Sequence, residues 1–176
     1  MKDALINRRE FLRNLGVIGA GALLSMSPWL SVFSEVVETS GEKCRLAIIG
    51  TGSRGRFLMS FLLQNPKVEI VALCDIYQPS MEKALNLVRE AKVYTDYRKV
   101  LENKTVDAVL VATPLNLHCQ IVLDAFDAGK HVFCEKSIGF TMEECFRIYK
   151  KHISTGKVFF TGQQRLFDPR YIKAME

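Results

Sequence analysis

The sequence predicts an α/β protein built on a doubly wound parallel sheet, and two observations carry that prediction. Short apolar segments alternate with segments of helical periodicity six times between Leu46 and Thr161. Most of the strand segments are continuously apolar, which is typical of strands buried on both faces of a parallel sheet. Because right-handed crossovers place helices on both faces of such a sheet, the expected strand order is 3-2-1-4-5-6.

The first strand segment, residues 46–49, runs directly into a turn with glycines at G-x-G-x-x-G spacing. Such glycines permit a sharp turn, close approach of the backbone to a pyrophosphate, and close packing of the next helix. The start of that helix offers free N–H groups and the positive end of its dipole to phosphates. The candidate phosphate-binding residues are Gly50, Thr51, Gly52, Ser53, Arg54 and Gly55.

The second strand segment, residues 68–74, ends at Asp75. In dinucleotide-binding sheets, a carboxylate about 20 residues beyond the glycine turn accepts hydrogen bonds from ribose hydroxyls. The order strand, turn, helix, strand and acid is complete, so the sequence predicts a dinucleotide site. Asp75 favours NAD because its charge repels a 2′-phosphate, with NADP as the alternative cofactor. A solvated acid at a strand end is the competing interpretation.

Local signals predict the other elements. Further strands are expected at residues 93–94, 107–112, 131–134 and 157–161, and helices at residues 56–64, 79–88, 97–102 and from 116 or 118 to 128. Thr141 and Glu144 form a capping box for one more helix. That helix carries an apolar stripe of Met142, Cys145, Phe146, Tyr149 and Ile153.

The composition argues against several classes of function. The 176 residues are 48% hydrophobic, which suits a globular protein with a buried core. The formal charge of +5 includes no basic run interleaved with aromatic residues, so nucleic-acid binding is not expected. The five cysteines show no C-x-x-C spacing, so the sequence predicts neither a metal site nor a disulfide framework.

The first 34 residues resemble a twin-arginine export signal, with Arg8 and Arg9 ahead of Phe11 and Leu12. A mildly apolar segment follows at residues 17–30, too short and too broken for a stable membrane span, which needs about 20 apolar residues. We therefore expect export to the periplasm. The alternatives are an amphipathic N-terminal helix and an uncleaved leader that anchors the chain to the membrane. Residues 35–43 are expected to form a polar linker.

Several motifs resemble segments of the Gfo/Idh/MocA oxidoreductase family, to which glucose-fructose oxidoreductase and inositol dehydrogenase belong. They are Ala112-Thr113-Pro114 followed by His118, Ala128-Gly129-Lys130-His131-Val132, Glu135-Lys136, and the stretch 162–169. Ser137 stands where the family usually has proline, so a cis-proline turn cannot be assumed there. The resemblance covers about residues 43–176. It implies a Rossmann domain at 44–162, and residues 163–176 as the start of a second α/β domain that is truncated.

The resemblance also implies roles for residues near the nicotinamide. Lys136 is the implied catalytic residue, because an ammonium beside the substrate hydroxyl eases proton removal as hydride leaves. Further cofactor contacts are implied for Thr113, Pro114, His118, Glu135, Gln163 and Arg165. Each of these residues has a structural alternative. Thr113 and Pro114 could simply end a strand, and His118 could cap the backbone. Glu135 could form a surface ion pair with Lys136, and Gln163 and Arg165 could hold the domain junction. For Arg54 the alternative is an exposed arginine without a role.

The function implied is hydride transfer between a hydroxyl-bearing carbon of a sugar or cyclitol and NAD(P). One alternative is an NAD-dependent glycosidase that oxidises its sugar transiently, and another is a catalytically inactive dinucleotide-binding fragment. The resemblance implies a homo-oligomer for the full-length protein. The surface expected to face the second domain also predicts poor solubility or self-association.

Overall fold

The computed structural model describes residues 43–175, apart from the side chain of Leu166. The expected export signal, and the expected linker up to residue 42, lie outside the described residues. The strands are β1 Cys44–Ile49, β2 Val68–Cys74, β3 Lys92–Tyr94, β4 Ala108–Val111, β5 His131–Cys134 and β6 Phe159–Thr161. The helices are α1 Ser53–Leu62, α2 Gln78–Leu85, α3 Tyr97–Leu101, α4 His118–Asp127, α5 Met142–Thr155 and α6 Pro169–Met175. Short 3₁₀ turns occupy Leu115–Leu117 and Gln164–Phe167.

The strands form one parallel sheet of six, ordered β3-β2-β1-β4-β5-β6. Alternate residues of β1 enter two different cores, because successive side chains of a strand point to opposite faces. Leu46 and Ile48 pack with α1 and α2, whereas Ala47 and Ile49 pack with α3, α4 and Ile148 of α5. The predicted fold class and strand order are confirmed.

Helix α1 differs from its prediction in both its bounds and its burial. It begins at Ser53 and not at residue 56, because Gly52 already serves as the N-cap and Gly55 lies in the first turn. It ends at Leu62, after which the chain tightens into i→i−3 hydrogen bonds. The sequence is apolar nearly all round the helix, yet Phe57 is 52% exposed, because only one face meets the sheet.

Helix α5 begins at the predicted capping box. Thr141 Oγ1 accepts from the Glu144 N–H at 3.2 Å, and the Glu144 carboxylate accepts from the Thr141 N–H at 3.3 Å. The predicted apolar stripe, however, does not face the sheet. Its members are largely exposed, and the residue of α5 that is buried is Ile148. The periodicity identified an apolar stripe on α5, but a different side of the helix packs against the rest of the protein.

Polar contacts join the amino ends of the central strands. Arg45 donates to Asp107 through Nη2 at 2.7 Å, Nε at 3.0 Å and its backbone N–H at 2.9 Å. Burial raises the pKa of Asp107, but the hydrogen bonds from Arg45 outweigh that effect and hold the pKa below its usual range. The buried Lys130 Nζ donates to the carbonyls of Asn103 and Val106, both at 2.8 Å. Lys130 therefore serves the fold, and burial lowers its pKa.

All five cysteines are free, and four of them are buried. Burial raises the pKa of Cys74 to about 12, so this thiol behaves as a small apolar side chain. Within residues 43–175, no group of three or more histidines, cysteines and acids is placed to hold a metal ion. In the same part of the chain, no helix combines the length and the apolar character needed to cross a bilayer.

Candidate cofactor-binding site

The loops after β1 and β4 meet at the carboxyl edge of the sheet, where the strand order reverses. Gly50 follows β1 with φ of +94°, a conformation that side-chain-bearing residues rarely adopt. A Cβ on Gly50 would lie 2.6 Å from the carbonyl oxygen of Ala112 and 2.8 Å from the nitrogen of Thr113. Only glycine allows this approach, which brings together the two predicted segments at 50–55 and 113–117.

The other two glycines of the motif have opposite surroundings. A Cβ on Gly55 would lie 2.0 Å from the carbonyl oxygen of Gly50, which is the close helix packing expected of the third glycine. The ideal Cβ position of Gly52, in contrast, has nothing within 4 Å. Helix α1 starts at the exposed Ser53 without a side-chain cap. The loop therefore presents open backbone and uncapped N–H groups, which suits an anion.

Asp75 is held against the glycine loop. Its Oδ2 accepts from the N–H of Thr51 at 2.7 Å and from the Thr51 hydroxyl at 3.0 Å, while Oδ1 accepts from the N–H of Tyr77 at 2.9 Å. Thr51 is fully buried, so its side chain positions the acid. Arg56, which sequence reasoning missed, supports the same loop by donating to the Thr51 carbonyl at 2.6 Å.

An ion pair joins the first turn of α1 to the loop after β5. Arg54 contacts Glu135 Oε1 through Nε and Nη2, each at 2.6 Å, and the Glu135 side chain is only 7% exposed. A Cβ on Gly162, after β6, would lie 2.8 Å from the Glu135 carboxyl carbon. The alternatives of an Arg54 without a role and a surface Glu135–Lys136 pair are both wrong. The true partner lies 81 residues away, so no local signal could have found it.

Lys136 is exposed beside this ion pair. Its backbone N–H donates to Glu135 Oε2 at 3.1 Å. Among the described residues, its ammonium has no hydrogen bond or ion pair. The Lys136–Ser137 peptide bond is cis, although Ser137 replaces the usual proline.

His118 joins the loops after β4 and β5. It is 2% exposed, with Nδ1 at 2.7 Å from the Ser137 carbonyl oxygen and Nε2 at 2.9 Å from the Thr113 carbonyl oxygen. Both ring nitrogens are engaged with the backbone, so neither is free for a ligand. The structure thus favours the backbone-binding alternative for His118 over direct contact with a cofactor.

Thr113 carries an unusual polar atom. Its Oγ1 is buried and has no hydrogen-bond partner, and it is the one such side-chain atom in the described part of the chain. A buried hydroxyl without a partner costs about 1–3 kcal/mol. The neighbouring Pro114, in contrast, is exposed.

Gln163 and Arg165 are exposed and are not drawn into these loops. The Gln163 N–H donates to the Thr161 carbonyl at 2.7 Å, and Arg165 Nη1 donates to the Tyr171 hydroxyl of α6 at 3.2 Å. Their predicted cofactor contacts stay predictions.

The sequence matches the family described as "Oxidoreductase family, NAD-binding Rossmann fold" over residues 44–163. The chain therefore belongs to the Gfo/Idh/MocA oxidoreductase family. The predicted cofactor NAD agrees with this description, and NADP stays an alternative.

Named relatives include a glycosyl hydrolase family 109 protein of Stenotrophomonas maltophilia, 34% identical over 86% of this chain and 34% of that protein. An alpha-N-acetylgalactosaminidase of Shewanella oneidensis is 30% identical over 81% of this chain and 36% of that protein. The chain thus spans about a third of the length of the curated relatives it matches.

Solved structures show the same fold. The myo-inositol 2-dehydrogenase of Lactobacillus plantarum superimposes with a TM-score of 0.70 at 30% identity, covering 76% of this chain and 41% of that one. An NAD-binding protein from Listeria innocua gives a TM-score of 0.69 at 33% identity, covering 76% and 40%.

Proposed function

We propose that this chain binds NAD at the carboxyl edge of its sheet and uses it in hydride exchange with a hydroxyl-bearing carbon of a sugar or cyclitol. The glycine loop carries the proposal: its backbone at Gly52 is open, the start of α1 is uncapped, and Asp75 is held beside it by Thr51.

The residues present fit the cofactor. Bound NAD supplies the hydride acceptor or donor. The open backbone at Gly52 and the uncapped start of α1 would hold its pyrophosphate. Asp75, already oriented by Thr51, would accept hydrogen bonds from a ribose.

Lys136 is the proposed catalytic residue. Its ammonium has no partner among the described residues, so it is available to a substrate oxygen, where it would lower the cost of losing the hydroxyl proton. The buried Glu135 carboxylate fixes the backbone of Lys136, and Arg54 fixes that carboxylate. Arg54 and Glu135 therefore act as positioning residues.

A second candidate is NAD-dependent glycoside cleavage, in which transient oxidation of the sugar permits loss of the aglycone and the sugar is then reduced again. The names of two relatives at 30% identity or more favour it. The same cofactor loop and the same lysine would serve both reactions. We also propose that either reaction takes place in the periplasm, after twin-arginine export, and that the full-length protein is a homo-oligomer. The division into residues 1–34, 35–43, 44–162 and 163–176 stays a prediction.

Cofactor binding is tested by native mass spectrometry of the purified chain, followed by calorimetric titration with NAD and NADP. We expect NAD to bind more tightly than NADP, and Asp75→Ala to weaken NAD about tenfold, or ~1.4 kcal/mol. Asp127→Ala, which removes an exposed acid of α4, is the matched control and should leave affinity unchanged. Tighter binding of NADP, or no binding of either, would contradict the proposal.

The reaction is tested on the chain loaded with NAD. Formation of NADH with free myo-inositol supports a dehydrogenase, whereas aglycone release from an α-N-acetylgalactosaminide without net NADH supports a glycosidase. Lys136→Met should abolish either activity, and Lys104→Met, at another exposed lysine, should retain it. A chain that binds NAD but converts neither substrate fits the catalytically inactive alternative.

A further inference from the structure

Helix α5 exposes an apolar face to solvent. Met142 is 70% exposed, Phe146 58%, Tyr149 60% and Ile153 63%. We call these four side chains the α5 stripe. Four large apolar side chains exposed in a row on one helix are typical of a protein–protein contact surface.

The charges beside the α5 stripe are of two kinds. Some already have partners: Glu144 caps the helix and Lys151 pairs with Asp127 of α4. Glu143 and Lys150, in contrast, are exposed and have no ion pair or hydrogen bond among the described residues. Arg147 is also exposed and has no such partner among residues 43–175, but it lies about 40° further round the helix from the stripe than Glu143 does. The two unpaired charges that border the stripe, Glu143 and Lys150, are opposite in sign.

Helical geometry places both unpaired charges on the same flank of the stripe. At about 100° per residue, positions seven apart lie within about 20° of each other around the helix and about 10.5 Å apart along it. Glu143 thus borders the amino-terminal half of the stripe and Lys150 borders the carboxyl-terminal half. The flank carries its negative charge at one end and its positive charge at the other.

Such a pattern complements itself when two identical helices pack antiparallel. A two-fold axis that runs between the two helices, level with the midpoint between Phe146 and Tyr149, sets Phe146 of each copy opposite Tyr149 of the other. Met142 then faces Ile153 of the second copy. The same operation places the flank that carries Glu143 and Lys150 on the same side of both helices. Glu143 of each chain therefore lies beside Lys150 of the other. Both the apolar and the charged patterns are satisfied by one register.

We propose that the α5 stripe is the interface of a two-fold symmetric homodimer, and that the occupant of the stripe is the α5 stripe of a second copy. Apolar contact supplies the attraction, and the paired Glu143 and Lys150 set the antiparallel orientation. The proposal does not rest on the proposed reaction, because no residue of the cofactor loop takes part.

The test is sedimentation equilibrium of the full chain over a range of concentrations. The wild type is expected to dimerise. Glu143→Lys and Lys150→Glu each place two like-charged pairs in the dimer, so each should raise the dimer dissociation constant at least about tenfold. The combined variant Glu143→Lys/Lys150→Glu restores opposite charges and should regain most of the wild-type affinity. Circular dichroism checks that each variant is folded.

Three outcomes would overturn the proposal. One is a monomer at every concentration, and another is a dimer indifferent to all three charge variants, which would place the interface elsewhere. The third is a monomer in which Tyr149→Asp lowers the melting temperature, because the stripe would then be covered by a segment of the same chain. Loss of dimerisation in Tyr149→Asp with an unchanged melting temperature of the monomer supports the proposal.

Discussion

The polar groups at the two ends of the sheet differ in how completely their hydrogen bonds are satisfied. At the amino end, Arg45 and Asp107 bind each other through three hydrogen bonds, and the Lys130 ammonium donates to two backbone carbonyls. At the carboxyl end, the Thr113 hydroxyl has no partner and the backbone at Gly52 is open. Strands of the same sheet thus end in satisfied groups on one side and in available groups on the other.

This difference distinguishes residues whose contacts stabilise the fold from residues that are open to a ligand. Lys130 lies in a stretch that resembles a family motif, yet its contacts are those of a structural residue. A motif match alone does not tell the two apart, whereas unsatisfied hydrogen-bonding capacity does. The carboxyl end also contains structural contacts of its own, the Arg54–Glu135 pair and His118, which fix the loops around the open positions.

The largest expected effect is a difference in stability between variants at two glycines of the glycine motif. Gly55→Ala should destabilise the protein by about 3 kcal/mol, because the new Cβ would lie 2.0 Å from a backbone oxygen. Gly52→Ala meets nothing within 4 Å and should change stability by less than about 0.5 kcal/mol. It should nevertheless weaken NAD binding about tenfold, because the methyl group occupies the approach of the pyrophosphate. Urea denaturation and NAD titration of both variants give the comparison, and unchanged NAD affinity in Gly52→Ala would count against the loop as the phosphate site.

The next effect concerns the ion pair at the carboxyl end. Arg54→Leu leaves the Glu135 carboxylate, 7% exposed, without its cation, and should cost about 2 kcal/mol. Glu135→Gln should cost less, because Arg54 is 39% exposed and can turn to water. The double variant Arg54→Leu/Glu135→Leu should be more stable than Arg54→Leu alone. Equal losses for the two single variants in thermal denaturation would show that burial of Glu135 does not govern the pair.

A smaller effect, dependent on pH, tests the amino end. Asp107→Asn should lower stability by about 1.5 kcal/mol at neutral pH, because it weakens hydrogen bonds from a cation. The pKa of Asp107 is depressed in the native state, so its contribution is fully present above the unfolded pKa of about 3.9 and is lost as the pH falls through the native pKa. The gap in melting temperature between wild type and variant should therefore close in acid. A gap that persists there would assign the loss to packing, and NAD affinity at neutral pH should be unaffected.

The smallest effect has the opposite sign. Thr113→Val replaces the buried hydroxyl by a methyl group of similar size and should stabilise the chain without NAD by about 1 kcal/mol. The affinity of the same variant for NAD should change less than about twofold, or ~0.4 kcal/mol, because the hydroxyl is shielded from the open loop. Thr105→Val, at an exposed threonine whose hydroxyl donates to Asn103, is the control and should not be stabilising. A Thr113→Val variant that loses stability without NAD would mean that water already satisfies the hydroxyl.

Sequence reasoning found the features whose signals are local. The apolar runs predicted the strands and their order, the glycine spacing located the loop after β1, and Thr141 with Glu144 located the start of α5. The predicted role of Asp75 follows from its position directly after β2. These predictions depend on a few neighbouring residues and on general rules for crossovers, so they need no knowledge of distant contacts.

Only the tertiary structure decided which distant groups meet. The sequence by itself determined a parallel sheet with a glycine loop and a nearby acid, but Arg54 finds Glu135 across 81 positions. The placement of α5 likewise depends on its neighbours: the helix buries Ile148 and leaves the stripe of Phe146 and Tyr149 outside. Periodicity shows that a helix has an apolar face, whereas the competition among all packed elements selects the face that is buried.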